Sequence, residues 1–215
     1  MSKQTIQCIA WEYEHIDGYD KILYPRTLAA HKAIRASSRD HKINTAKDTR
    51  RFHGGYYHGL TPPDFEYYAG GYRGQDPYCL KTYEVQAGGD PAVGHVPATV
   101  PMEMQELSIN IEASVNQLDF LWSANSNIVS DQEKIIRVIE ICAALFVYFL
   151  EIHPYANGNG HMARLLITCL LGRYGIYLKS WPIHPRPLSL EYGPAILAHR
   201  RGDRKKLELL LLRSL

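Results

Sequence analysis

An apolar run at residues 135–152, IIRVIEICAALFVYFLEI, limits the folds that this 215-residue chain can adopt. Beyond its first turn, nearly every face of a helix with this sequence is apolar, and a helix that is hydrophobic all round is buried. Ser130 precedes the run and is followed three residues later by Glu133, the capping-box pattern of a helix start. Pro154 disfavours the helical conformation of His153. The sequence therefore predicts a central helix that ends at His153.

Other segments give weaker signals. A second apolar helix, MARLLITCLLGRYG, is expected to end at Gly172 or Gly175. LKTYEVQ at 80–86 alternates between apolar and polar residues, and with a weaker signal at 93–96 it predicts a β-hairpin. Further helices are expected at 27–37, near 45–52, from 101 or 102 to about 122 and, as two short ones, in the C-terminal tail, while residues 53–73 are typical of a structured loop.

The composition indicates one ordinary globular domain. A hydrophobic content of 46% and a charged content of 21% suit a sizeable core. The net charge of +2 and the lack of a concentrated basic stripe argue against a nucleic-acid partner. The small basic cluster at 200–206 is expected to be a solvated helix face. No segment has the order of a signal peptide or the length of a bilayer span, so no membrane partner is expected.

The four cysteines favour a reducing compartment. Cys8, Cys79, Cys142 and Cys169 are widely spaced, and none lies at zinc-ligand spacing from a histidine. A cytoplasmic location is therefore expected, with a secreted effector as the alternative.

The string HPYANGNGHMAR, residues 153–164, lies at the joint between the two buried helices. The start of a helix presents unpaired backbone N–H groups and a partial positive charge, and glycines let a phosphate approach the backbone closely. Gly158, Asn159 and Gly160 would form such a cradle. The joint is therefore expected to bind an anion.

Three side chains near this cradle suit chemistry on a phosphate. Arg164 leans back towards the helix start, where its guanidinium matches phosphate oxygens. His161 could add a donor on the same face, and His153 is placed to take a proton from an attacking hydroxyl. The pattern predicts in-line phosphoryl or nucleotidyl transfer. Simpler roles stay open, with His153 as a helix cap, His161 as a solvent-facing residue and Arg164 as a surface ion-pair residue.

The same string resembles the signature of the Fic family (Fic/Doc, or Fido, domains), written His-Pro-Phe-x-Asp/Glu-Gly-Asn-Gly-Arg-x-x-Arg. Tyr155 stands at the aromatic position, and the chain matches the signature at His153, Pro154, Gly158, Asn159, Gly160 and Arg164. AGGYR at 69–73 and HVPATVPMEM at 95–104 resemble the segments on either side of the family's β-hairpin flap.

This resemblance implies an all-α fold, a Fic-type helical bundle with a small β-hairpin flap. It also implies three parts of one globule. These are an N-terminal extension at 1–44 that packs on the core, the Fic domain at 45–185 and C-terminal helices at 186–215.

For function, the resemblance implies a protein adenylyltransferase that moves AMP from ATP to a Ser, Thr or Tyr hydroxyl of a target protein. His153 would be the general base, Asn159 and its neighbouring glycines would hold the phosphates, and Arg164 would pair with the terminal phosphate. The target would dock on the hairpin near residues 80–96 by strand addition.

The chain departs from the signature at two positions. Asn157 stands where the family usually has the carboxylate that holds Mg²⁺, and an amide oxygen is a poorer ligand for that ion. His161 replaces an arginine, so nucleotide binding is expected to strengthen as the pH falls from about 8 to 6. No stretch resembles the family's inhibitory helix, so restraint would be absent or would come from a separate inhibitory partner.

Two other functions fit the same residues. One is a transferase of this fold that uses another donor, with phosphate or phosphocholine as the transferred group. The other is a catalytically weak phosphate-binding interaction module, in which Asn157 and His161 are signs of lost catalysis. The tyrosines between 56 and 83 are expected to pack their loop, and His53, His58 and His95 lack the spacing of metal ligands.

Overall fold

The computed structural model describes residues 7–85, 93–124, 128–188 and 190–215. Regular structure within these ranges is helical, which confirms the all-α class. The helices are α1 (Tyr19–Ala36), α2 (Arg39–Lys47), α3 (Arg50–Tyr56), α4 (Tyr78–Lys81), α5 (Val100–Ser123), α6 (Asp131–Ile152), α7 (Asn159–Arg173), α8 (Tyr192–Arg200) and α9 (Lys205–Leu212), with short 3₁₀ turns at Tyr13–His15, Glu66–Tyr68 and Pro97–Thr99.

Helix α6 is the centre of the bundle, as its sequence predicts. Its N-terminus is capped by Ser130, whose Oγ accepts a hydrogen bond from the Glu133 N–H at 3.2 Å. Its side chains pack against α5, α7, α8 and α9. The joint that follows α6 is therefore held at the middle of the molecule.

Helix α7 is buried over more of its length than α6, and it lies between α6 and α2, with α1 also in contact. Helix α1 begins at Tyr19, earlier than the predicted start at residue 27, and it continues through Pro25. The single helix predicted near 45–52 is two helices, α2 and α3, separated by Asp48 and Thr49.

The hairpin prediction is wrong for the part of the segment that the structure describes. Tyr78–Lys81 forms the helical turn α4, residues 82–85 and 93–96 form no strand, and residues 86–92 lie outside the described ranges. The physical reason lies just before the alternating run, where Cys79 and Leu80 are adjacent and both are 1% exposed. A strand places neighbouring side chains on opposite faces, whereas a helical turn can bury both.

A disulfide joins Cys8 to Cys79, while Cys142 and Cys169 are free and buried. This pairing is at odds with the reducing compartment that the cysteine spacing favours, because disulfides are rare there. The bond fixes the N-terminal segment to α4. Within the described ranges, no helix is both long enough and apolar enough to cross a membrane.

Candidate active site

The joint between α6 and α7 begins at His153. This residue caps α6 with a left-handed backbone, φ 53° and ψ 60°, and its N–H donates to the Phe149 carbonyl at 3.0 Å. Its ring Nδ1 lies 3.0 Å from the Leu150 carbonyl oxygen. A carbonyl can only accept, so Nδ1 carries the proton and Nε2 is left as the basic nitrogen of the neutral ring.

The His153 ring is neutral at physiological pH. Burial lowers the pKa of its imidazole to about 4, with smaller contributions from the positive charges of Arg73 and Arg200 and against the effect of the bond to Leu150. Nε2 can therefore accept a proton at pH 7. This is the protonation state that a general base requires.

The loop from Tyr155 to Asn159 is closed by one side chain. Asn159 Oδ1 accepts from the Tyr155 N–H and its Nδ2 donates to the Tyr155 carbonyl, both at 2.8 Å. Gly158 is the N-cap of α7 with φ 80°. The N–H groups of Asn159 and Gly160 form no hydrogen bond within the described part of the chain. The start of α7 thus offers two free backbone donors.

His53 supports the same loop from α3. Its Nδ1 accepts from the Gly70 N–H at 2.8 Å, so its Nε2 carries the proton and donates to the Asn157 carbonyl at 3.0 Å. Its ring stacks on Tyr155 with centroids 3.8 Å apart. Complete burial lowers the pKa of His53 to about 3, so the ring is neutral. His53 is therefore a structural support for the loop.

An open cleft of about 450 Å³ lies beside the joint. Its wall includes three of the predicted site residues, His153, Asn157 and Asn159, but not Gly158, Gly160, His161 or Arg164. The rest of the wall comes from the N-terminal segment, the disulfide, residues 82–85 and Ala156. The structure thus brings the predicted base to an accessible surface and places the predicted cationic residues elsewhere.

Arg164 points into the protein. Its side chain is buried, with Nε donating to the Ile183 carbonyl at 2.8 Å and Nη1 to Tyr192 Oη at 3.2 Å. Nη1 still lies beneath the first turn of α7, close to the Cα of Gly160. No ion pair within the described ranges includes Arg164. The guanidinium therefore sets a positive charge under the helix start without forming part of the cleft wall.

His161 is also buried, which the sequence analysis did not expect for either of its proposed roles. The Asp20 carboxylate accepts a hydrogen bond from His184 Nε2 at 2.9 Å, so His184 Nδ1 carries no proton. His184 Nδ1 therefore accepts a hydrogen bond from His161 Nε2 at 3.1 Å. His161 Nδ1 in turn accepts from the Tyr57 hydroxyl. This directed chain keeps both histidines neutral.

The pKa of His161 agrees with this chain of hydrogen bonds. Burial, followed by the nearby charge of Arg164, lowers the pKa of His161 well below its usual value. The ring therefore gains no charge between pH 8 and 6. The structure does not favour the expected strengthening of nucleotide binding over that range.

The N-terminal segment, which matches nothing recognisable in sequence, lies against the joint. Trp11 is 1% exposed and its indole N–H donates to the Leu60 carbonyl at 2.6 Å. Asn157 Nδ2 donates to the Trp11 carbonyl at 2.8 Å and lies 3.4 Å from a Glu12 oxygen and 3.3 Å from a Glu14 oxygen. The segment thus brings two carboxylates to the position where the signature usually has one.

Asn157 fits poorly as a magnesium ligand in this arrangement. Its Oδ1 accepts a hydrogen bond from the Gly158 N–H at 2.6 Å, and its Nδ2 faces the N-terminal segment. Among the residues described, no group of three or more His, Cys, Asp or Glu side chains is placed to hold a metal ion.

Sequence reasoning missed the supports of the joint, because each acts over a long separation in the chain. His53, Tyr57 and Trp11 contact residues about 100 to 150 positions away. Their nearest sequence signal was the density of tyrosines from 56 to 83. The expectation that those tyrosines pack their loop agrees with the burial of Tyr57 and Tyr68, which are both 0% exposed.

Comparison with known proteins identifies the family of the chain. The Fic/DOC family model matches residues 28–171, more than half of the chain and the whole of the joint. The protein therefore belongs to the Fic/DOC family, whose members are generally transferases. No curated protein matches the chain.

Proposed function

We propose that this protein is a protein adenylyltransferase, which moves AMP from ATP to a Ser, Thr or Tyr hydroxyl of a target protein. The observation that carries the proposal is the state of His153, a residue of the cleft wall whose Nδ1–H is held by the Leu150 carbonyl. The hydroxyl oxygen attacks the α-phosphorus and pyrophosphate leaves. His153 Nε2 takes the hydroxyl proton.

The start of α7 supports the binding of the phosphates. The free N–H groups of Asn159 and Gly160 would donate to phosphate oxygens, and the buried charge of Arg164 would favour an anion at the same place. In this proposal, Asn159 shapes the loop through Tyr155 rather than binding the phosphates through its side chain. Arg164 acts through its field rather than by direct contact.

The remaining partners are part of the same proposal. ATP is the substrate and Mg²⁺ is its companion ion. The target protein docks near residues 80–96, where Tyr83, Glu84 and Val85 line the cleft. The Cys8–Cys79 disulfide favours a secreted effector over the cytoplasmic location that the cysteine spacing suggests, and restraint is either absent or comes from a separate inhibitory partner.

One observation favours a second candidate. No Lys or Arg side chain is part of the described cleft wall, whereas Glu12 and Glu84 are. A triphosphate gains less from such a wall than a donor with fewer negative charges. A transferase of the same fold with another phosphate donor, or a weak phosphate-binding module, is therefore the alternative.

Labelled ATP separates these functions. The protein is incubated with ATP labelled at the α or the γ phosphate, a divalent cation and a cell lysate. Transfer of the α label supports AMP transfer, transfer of the γ label indicates phosphate transfer, and transfer of neither overturns the use of ATP as donor. His153→Gln should abolish the signal. His58→Gln is the matched control, because His58 is exposed and outside the cleft.

A further inference from the structure

Arg73 caps the end of α6. Its side chain is 0% exposed, and its Nε donates to the His153 carbonyl at 2.8 Å while Nη2 donates to the Ile152 carbonyl at 3.1 Å. Its backbone N–H donates to the Pro154 carbonyl at 2.8 Å. The last carbonyls of a helix lack partners within the helix, and a cation there is favourable. Arg73 therefore holds three consecutive carbonyls around the proposed base.

The same guanidinium also bonds the carbonyls of Tyr83, which is part of the cleft wall, and of His95. Nη1 donates to the Tyr83 carbonyl at 3.0 Å and Nη2 to the His95 carbonyl at 2.9 Å. These two carbonyls flank the segment 84–94, which begins with the cleft residues Glu84 and Val85. One side chain thus joins the residue proposed as the base to Tyr83 in the cleft wall and to His95.

His153 needs such support because of its backbone. A non-glycine residue in the left-handed region is disfavoured and keeps that conformation only where its surroundings determine it. With φ 53°, His153 is in this region. The bonds from Arg73 to the carbonyls of Ile152, His153 and Pro154 fix the peptide groups on both sides of the residue.

We propose that Arg73 is a positioning residue, which sets the orientation of the His153 imidazole and fixes the base to Tyr83 in the cleft wall and to His95. The catalytic part of this inference rests on the proposed function. Lysine could not replace Arg73 fully, because bonding four carbonyls in different directions requires the planar fork of a guanidinium.

The first test follows the imidazole by NMR and requires no enzymatic activity. The signal of His153 is identified by its absence from the spectrum of His153→Gln, and its titration and tautomer are then compared between the wild type and Arg73→Gln. Loss of the Arg73 charge should raise the pKa of His153, and loss of the bonds should weaken its preference for the Nδ1–H tautomer. The other charged groups near the ring, Arg200 on α8 and the cleft residues Glu12 and Glu84, are unchanged.

Arg173→Gln is the matched control for a loss of stability. Arg173 bonds both carboxylate oxygens of Asp119, at 3.1 and 2.5 Å, and it is not part of the cleft wall. Its replacement should destabilise the protein while leaving the titration of His153 as in the wild type. Arg73→Lys keeps a charge, so the pKa of His153 should stay closer to the wild-type value.

The second test uses the transfer assay. In Arg73→Gln and, to a smaller degree, in Arg73→Lys, kcat should fall on the order of 100-fold with little change in KM, because a misplaced base slows the chemical step. Arg173→Gln should keep its kcat. If Arg73→Gln folds and its His153 has the wild-type titration and tautomer, the inference is overturned. If Arg73→Gln does not fold, the same measurements are made on Arg73→Lys, and a wild-type tautomer together with a wild-type kcat in that variant overturns the inference. If the wild type transfers nothing from ATP, the proposed function fails while the NMR comparison still decides the role of Arg73.

Discussion

The ring of Tyr57 lies against the backbone of Gly158, where an added Cβ would be 2.4 Å from a ring carbon. Gly158 also has φ 80°, a conformation that other residues rarely adopt. The Tyr57 hydroxyl is fixed at the same time by its bond to His161. The packing of α3 and the geometry of the α7 start therefore depend on the absence of one side chain.

We predict that Gly158→Ala destabilises the protein far more than Gly175→Ala. Both glycines have a positive φ, but nothing lies within 4 Å of a Cβ added at Gly175. Gly175→Ala should cost about 1 kcal/mol from the backbone alone. Gly158→Ala should cost about 1–3 kcal/mol more from the overlap with Tyr57. Urea denaturation of both variants measures the difference, and equal losses would contradict the prediction.

Transfer activity should depend little on pH from 8 down to 6. The pKa of His153 is lowered to about 4 by burial, so the base stays unprotonated over this range and becomes protonated only as the pH falls towards 4. A profile of kcat/KM against pH tests this. An acid limb centred near the usual histidine pKa of about 6.5 would show that His153 is not buried in the active enzyme or is not the base.

The protein should lose stability as the pH falls below about 6.5. Burial lowers the pKa of His53 to about 3 and the pKa of His161 well below its usual value, whereas both rings take up protons at about 6.5 in the unfolded chain. The unfolded state then binds more protons, and the free energy of unfolding falls with pH from about 6.5 towards 3.

His161→Gln tests the share of one residue in this effect. The variant should show a shallower loss of unfolding free energy between pH 7 and 5 than the wild type, although its stability at pH 7 is lower. His58→Gln, at an exposed site, should keep the wild-type slope. The prediction fails if the slopes of the wild type and His161→Gln are the same.

Reduction of the Cys8–Cys79 bond should lower the melting temperature. The bond closes a loop with a sequence separation of 71 residues, and for such a loop the chain-entropy model gives ~4 kcal/mol. Cys8 is exposed, so a thiol reductant can reach the bond. The double variant Cys8→Ser/Cys79→Ser should melt at the temperature of the reduced protein and should not respond to reductant. An unchanged melting temperature on reduction would be the contrary result.

The central helices could be predicted because their signals are local. The apolar periodicity of α5 and α6, the Ser130 cap and Pro154 all act within a few residues of the feature they determine. The hairpin is not found in the described residues, where Leu80 belongs to the helical turn α4; alternation within residues 80–86 does not indicate that Cys79 and Leu80 are buried side by side.

The site could be predicted only in part for the same reason. The string at 153–164 located the end of α6 and the start of α7, which neighbouring residues set, whereas the bonds of Arg73 to the His153 carbonyl come from 80 positions away. The inward direction of Arg164 depends on Ile183 and Tyr192, and the burial of His161 depends on Tyr57 and His184. Nothing in the local sequence specifies these distant partners.

Helix α6 is enclosed by four other helices, and the proposed base is the residue that follows its last turn. Because of this packing, the segment that holds His153 cannot unfold independently of the helical bundle. Heat inactivation should therefore coincide with the cooperative collapse of the whole bundle, with no earlier phase in which the fold survives and the chemistry is lost.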